Sequence, residues 1–234
     1  MRSPQNTATT PARSSFVRGR LVGAAAIAFA VLVVMENAVY GFPAAPTFGA
    51  PIEEVLAYYA ANRVSVAIAT GVVALYLPLL LVFVTGLHGL VERRGGAGAD
   101  WSRLALAAGA TLSAIFVLVN VLQIGIALSA DGLTEPTPAF ELVWQIHAAA
   151  FALALPALGT TFIGAALAAH ASGLTPAWQR LLGLVGGSLL LAAGLGNLAI
   201  ADGSALLVVG LLGFAAWLVW LLATGVRLVR SDVD

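Results

Sequence analysis

The residues of this chain that could do chemistry are few, and each sits in apolar surroundings. Glu36 and Asn37 lie side by side in "LVVMENAVYGF", Asn120 and Gln123 are three apart in "LVNVLQIG", Gln145 and His147 are two apart in "VWQIHAA", and Asn197 ends "LAAGLGN". A carboxylate and an imidazole are the pair that general acid–base catalysis uses when they come within hydrogen-bond reach, directly or through one water. The same carboxylate, amides and imidazole also make the donor and acceptor set of a polar binding pocket. There is no Gly-x-Ser-x-Gly elbow, His-Glu-x-x-His helix or Walker loop. With no cysteine, disulfides, thiolate metal sites and cysteine nucleophiles are excluded.

The elements that must position these residues are membrane spans. Sixty per cent of the chain is apolar and 9% is charged, a balance that a water-soluble domain of this length does not have. A hydrocarbon core about 30 Å thick takes roughly 20 residues of apolar helix, and only helices or closed barrels satisfy their own backbone in lipid. Six runs qualify: Leu21 to Phe42, Val64 to Val91, Leu104 to Ser129, Leu142 to Ala169, Leu181 to Ile200, and Ala205 to Val226. The fold class is therefore an all-α polytopic membrane protein with six transmembrane helices.

Every basic residue besides histidine is an arginine, and all but Arg63 fall on one side of this topology. The positive-inside rule then places both termini in the cytoplasm. The first run is too long for a signal-peptide core of roughly 7–15 residues, so it reads as a retained helix. Residues 1–19 read as a flexible cytoplasmic tail, 20–230 as one six-helix domain, and 231–234 as a second tail. The Ala, Gly, Val, Pro and Arg bias points to a GC-rich bacterial genome, hence to the plasma membrane.

At about 1.5 Å per residue, Glu36 and Asn37 lie roughly 9 Å from the outer end of their helix, and Asn120 and Gln123 about 9–13 Å. Gln145 and His147 lie about 5–8 Å in, and Asn197 about 5 Å. All these polar groups fall in the outer half, which predicts a polar pocket opening outward. Intramembrane ionisable groups usually face such a cavity, although amides also serve as interhelical glue. Arg63, at the start of the second span, is expected to pair with Glu36, with Asn120, Gln123 or His147 adding hydrogen bonds. The segment "PIEEVLAYYAANR" reads either as a helix lying on the outer surface or as an extension of the second span. Trp101 and Trp178 at the inner edge, and Tyr58, Tyr59 and Trp144 at the outer edge, match the aromatic belts of spanning proteins.

Three outward-running helices align on their arginines: "RLVGAAAIAFAVLVVMEN", "RLALAAGATLSAIFVLVN" and "RLLGLVGGSLLLAAGLGN". Asn37, Asn120 and Asn197 each follow their arginine at the same distance, and Pro78 and Gly86 are spaced like Pro156 and Gly164. This register predicts three repeated helical hairpins with the asparagines at one depth, pointing inward. Pro78 and Pro156 are expected to kink their helices. Gly183 and Gly187 form a close-packing face suited to contact within the chain or to dimerisation. Haem would need two facing histidines at one depth; His88 and His170 lie at inner helix ends and His147 almost a membrane away, so no cofactor and no metal is expected.

The turn "HASGLTPAWQRLLGLVGG" resembles the Ser-Gly, Leu, Pro, then Trp-x-x-Leu-Gly turn of DUF4386-like bacterial membrane proteins, an uncharacterised six-helix family, with His147 and the overall topology in loose agreement. The resemblance implies a six-helix fold and brings no catalytic residue. Three functions fit the residues. The leading one is an outward pocket built from Glu36, Asn37, Arg63, Asn120, Gln123, Gln145, His147 and Asn197 that binds or transports a small molecule or lipid. The others are an accessory subunit whose helix faces bind another membrane protein or a second copy, and a membrane hydrolase or transferase using Glu36 and His147. Membrane lipids are the expected surroundings in each, and nucleic acid is not an expected partner.

Overall fold

The computed structural model describes residues 11–41 and 44–230; the chain termini expected as tails at residues 1–10 and 231–234 lie outside them. Eight helices follow in order among the described residues: α1 (Pro11–Gly41), α2 (Ile52–Ala61), α3 (Arg63–Arg93), α4 (Ala99–Ser129), α5 (Pro138–Ala171), α6 (Ala177–Leu195), α7 (Asn197–Ala201) and α8 (Leu206–Arg230). Six of them are long and apolar enough to span a membrane: α1 from Gly19, α3, α4, α5, α6 and α8. α1 begins at Pro11, inside the stretch read from sequence as tail.

Spans adjacent in sequence are adjacent in space. α1 packs on α3, α3 on α4, α4 on α5, α5 on α6 and α6 on α8, and α8 returns to α1, closing a ring. The short α3–α4 and α5–α6 turns leave no alternative to antiparallel neighbours. Arginines gather at one end of the ring (the arginine end), and α2 covers the other (the α2 end).

α5 is the most enclosed span: 61% of its apolar window is buried, against 28–44% in the others. Its alanines and glycines explain this, since small side chains let neighbours approach from several directions. A Cβ on Gly159 would lie 2.8 Å from the Gly187 carbonyl, and one on Gly183 would lie 2.1 Å from Ala166 Cβ. The Gly183–Gly187 face is therefore used within the chain, between α6 and α5. Pro156 abuts Gly194 of α6, where a Cβ would meet the proline ring at 2.7 Å. The fifth span is shorter than expected. α6 stops at Leu195, Gly196 breaks the helix at φ −97°, ψ 30°, and Asn197 starts the one-turn α7.

α2 is a separate helix, ended at Asn62, whose side-chain amide donates to the Tyr58 carbonyl at 2.9 Å. It buries Val55, Leu56, Tyr58 and Tyr59, one face at helical spacing, while Glu53 and Glu54 stay exposed at its first turn. That face forms a second small core with Val66, Ile126, Phe140 and Trp144 at the ends of α3, α4 and α5. The belt expectation is corrected here. Trp101 and Trp178 are about half exposed, as a belt requires, but Tyr58, Tyr59 and Trp144 point inward under α2. Beside them the α1–α2 and α7–α8 loops meet backbone to backbone. Gly203, at φ +87°, lies so close that a Cβ would be 2.4 Å from Gly49 Cα, a position only glycine fills without strain.

Candidate ligand cavity

Five spans and one loop line a partly open cavity of about 330 Å³ that runs from the α2 end to the middle of the bundle. Each span contributes one helical face. On α1 it is Phe29, Val33, Glu36, Asn37 and Tyr40, and on α4 Leu112, Phe116, Val119, Asn120 and Gln123. Both series step by four, three, one and three residues, the spacing of a single stripe on an α-helix. The two stripes are offset by the same 83 positions that separate Arg20 from Arg103. α3 and α5 behave alike. Val73, Tyr76, Leu77 and Leu80 recur as Phe151, Ala154, Leu155 and Leu158, at the offset that separates Pro78 from Pro156. The first two hairpins thus turn the same register toward the cavity.

The third does not. Asn197 follows the Gly196 break and, though its Oδ1 is buried, takes no part in the wall, so of the three asparagines only Asn37 and Asn120 line the cavity. Glycines hold α6 against its neighbours along its length, Gly186 on Phe162 and Ala216, Gly187 on Ile163 and Gly194 on Pro156. The fifth wall of the cavity is instead α8, through Leu207, Gly210, Leu211, Phe214 and Trp217.

Of the eight residues expected from sequence, Glu36, Asn37, Asn120, Gln123 and His147 line the cavity, and Arg63, Gln145 and Asn197 do not. Gln145 is exposed and donates to Glu141 Oε1 at 3.3 Å. At about 100° per residue it lies roughly 200° around the helix from His147. The expected Glu36–Arg63 pair is absent. Arg63 forms its salt bridge with Asp131, beyond the end of α4, both side chains more than half exposed. Arg63 opens α3 at the bundle surface, and its long side chain reaches across the loops instead of down into the cavity.

The polar end of the cavity is only partly satisfied. The Glu36 carboxylate accepts from Asn37 Nδ2 at 2.9 Å, and that amide also donates to the Val33 carbonyl at 2.9 Å. Asn120 Nδ2 donates to the Thr70 carbonyl at 3.3 Å, leaving its Oδ1 buried without a partner. His147 is 5% exposed, its ring stacked on Trp144 with centroids 5.3 Å apart and met edge-on by Phe48. Neither His147 Nδ1 nor Trp144 Nε1 has a partner. Native structures pair most of their buried polar atoms; of the seven unpaired ones among the described residues, four belong to residues that line this cavity.

Sequence reading missed the tyrosines. Tyr40 and Tyr76 line the cavity. Tyr40 and Tyr59 share a hydroxyl–hydroxyl bond at 2.8 Å, and Tyr58 donates to the Tyr40 carbonyl. These bonds tie α2 to α1 over the cavity. Burial, partly offset by the bond to Tyr40, pushes the Tyr59 hydroxyl well above the ordinary tyrosine range. The spacing of Tyr40 from Glu36, four residues on one face, is the signal that could have found it.

The two other histidines have local roles. His88 Nδ1 is 2.8 Å from Ser102 Oγ, and His170 Nδ1 is 3.1 Å from the Thr175 carbonyl. Among the described residues no group of three histidine or acidic side chains gathers where a metal ion could bind. No protein-family model matches the chain, no curated protein matches its sequence, and no solved structure matches its fold.

Proposed function

We propose that this membrane protein binds a small amphipathic molecule inside its helix ring. The observation that carries this is the two-zone cavity: hydrogen-bonding groups at the α2 end and an apolar floor of Leu80, Leu158, Phe214 and Trp217. Its volume, about 330 Å³, falls within the range of small-molecule sites, about 300–1,000 Å³. A ligand with a polar head and an apolar body matches both zones. Enzymatic use of Glu36 and His147 has less support, because among the described residues no hydrogen bond joins them and the cavity lining holds no serine or cysteine nucleophile. No observation on the lipid-facing surface favours the accessory-subunit role.

The test is native mass spectrometry of protein extracted gently from its own membrane. The wild type should carry a small-molecule or lipid adduct, and Ala154→Phe, which fills the cavity from α5, should lose it while melting at an unchanged or higher temperature. The same adduct in both proteins would overturn the reading.

The setting we propose is the bacterial plasma membrane, with the arginine end cytoplasmic and the α2 end outward, on the strength of the arginine distribution. Kinship with the DUF4386-like proteins is proposed on the α5–α6 turn alone. Because the chain has no cysteine, single cysteines can be labelled in intact cells with an impermeant reagent. Thr47→Cys, Glu135→Cys and Asp202→Cys should label and Gly96→Cys and Ala171→Cys should not; the opposite pattern would reverse the orientation.

A further inference from the structure

The charge balance of the cavity narrows the class of ligand that the proposed binding role would serve, and the narrowing rests on that role. Among the described residues the wall contains one carboxylate, Glu36, and no arginine. The arginine closest to it in sequence on the α2 side, Arg63, is held by Asp131 at a separate surface recess. A carboxylate away from water is costly unless it is neutralised or paired, and Asn37 supplies it with one hydrogen bond and no charge.

The remaining wall is aromatic. Nine of the described lining residues are Phe, Tyr or Trp, and several are oriented by edge-on contacts with one another, among them Phe29 with Tyr76 at 5.5 Å and Phe116 with Phe151 at 6.4 Å. Aromatic faces attract cations through their quadrupoles, most strongly where water is excluded. Asn120 Oδ1 adds an acceptor that no protein donor uses. A carboxylate, a free amide oxygen and a ring of aromatic faces together suit a cation that also donates hydrogen bonds.

We infer that the cavity selects a protonated amine with an apolar body, whose ammonium N–H groups face Glu36 and Asn120 and whose hydrocarbon fills the space toward Trp217. Glu36 supplies the counter-charge, and Tyr40 and Tyr76, which share its part of the wall, supply aromatic faces. A neutral head group would satisfy the amide and leave the carboxylate unpaired. An anionic one would add a second negative charge.

The test compares two probes of nearly the same shape, 4-phenylbutylammonium and 4-phenylbutanol, by isothermal titration calorimetry on the detergent-solubilised full chain at neutral pH. The amine should bind at least about tenfold more tightly than the alcohol. Glu36→Gln should reduce that ratio to near one by weakening the amine. Tyr76→Leu, which keeps the carboxylate, should reduce the ratio in part. Equal affinities of the two probes for the wild type, or an amine preference that survives Glu36→Gln, would overturn the inference and leave the cavity as a site for neutral ligands. If neither probe binds and the wild type carries no native adduct, the binding reading fails with it. The wild-type comparison decides the matter even if a variant does not fold.

Discussion

The two ends of the bundle are built from the same apolar composition and packed in different ways. Toward the arginine end, helices meet through glycine. A Cβ on Gly23 of α1 would lie 2.6 Å from the Gly225 carbonyl of α8, one on Gly86 would lie 2.3 Å from Val22, and one on Gly164 would lie 2.9 Å from the Trp101 carbonyl. Phe83, Phe162, Trp217 and Trp220 fill the space just inside these contacts, the two indoles stacked at 5.5 Å. Toward the α2 end, the facing residues of α1, α3, α4 and α5 are Phe29, Tyr40, Tyr76, Phe116 and Phe151. Bulky rings keep those helices apart, and the cavity is the space left between them. Where glycine faces a neighbouring helix the ring is solid, and where bulky rings face one another it is open.

The largest expected effect falls on the solid end. Trp220 is fully buried and does not line the cavity, so Trp220→Ala should cost about 3–5 kcal/mol and lower the detergent melting temperature sharply. Phe214→Ala removes a ring that already borders open space and should cost less than half as much. Equal losses would mean that the two ends are packed alike.

Next comes the ring closure. Gly23→Val forces a branched side chain against the α8 backbone and should cost about 1–3 kcal/mol. Gly71, with nothing within 4 Å of its missing Cβ, is the control, and Gly71→Ala should be neutral or stabilise by up to about 1 kcal/mol. A Gly23 variant that melts like wild type would remove glycine contact as the cause of the tight end.

A smaller effect concerns the α2 cover. Burial raises the Tyr59 hydroxyl above the ordinary value of 10.0, so its neutral form is favoured more in the folded protein than in the unfolded one. That contribution is intact below about pH 10 and is lost as pH rises through the raised value. Melting temperatures measured from pH 8 to 12 should therefore fall above about pH 10, by the equivalent of about 1 kcal/mol near pH 11. Tyr59→Phe should make that fall shallower without moving its onset, and an unchanged alkaline profile would separate Tyr59 from it.

The smallest effect is expected at Arg63. Its bridge to Asp131 is more than half exposed on both sides, and such pairs contribute about 0–1 kcal/mol. Arg63→Leu should cost no more than that, and its effect should add to that of Glu36→Gln without coupling. Measurable coupling between the two would reinstate the pair expected from sequence.

The six spans could be located from sequence to within a few residues at most ends, because apolar length and the arginines and turns that bound it are local properties. The α1 and α4 stripes were half legible. The Arg–Asn register named Asn37 and Asn120, and the helical period then leads to Glu36, Tyr40 and Gln123 on the same faces. Asn197 shares that register but does not reach the cavity wall, because the glycine one residue before it ends α6.

The sequence by itself determined an all-α, six-span membrane protein with its polar side chains concentrated toward one end. Only the tertiary structure decided that Tyr59 and Trp144 lie under α2 instead of at a lipid interface, that Arg63 meets Asp131, and that α8 replaces α6 in the cavity wall. The physical reason is one of range. A residue's direction around its own helix follows from a fixed rotation per residue, but what it faces depends on which neighbour approaches and how closely. That depends on side chains many residues away in the chain, here chiefly the glycines that let α6 close on α5 and α8.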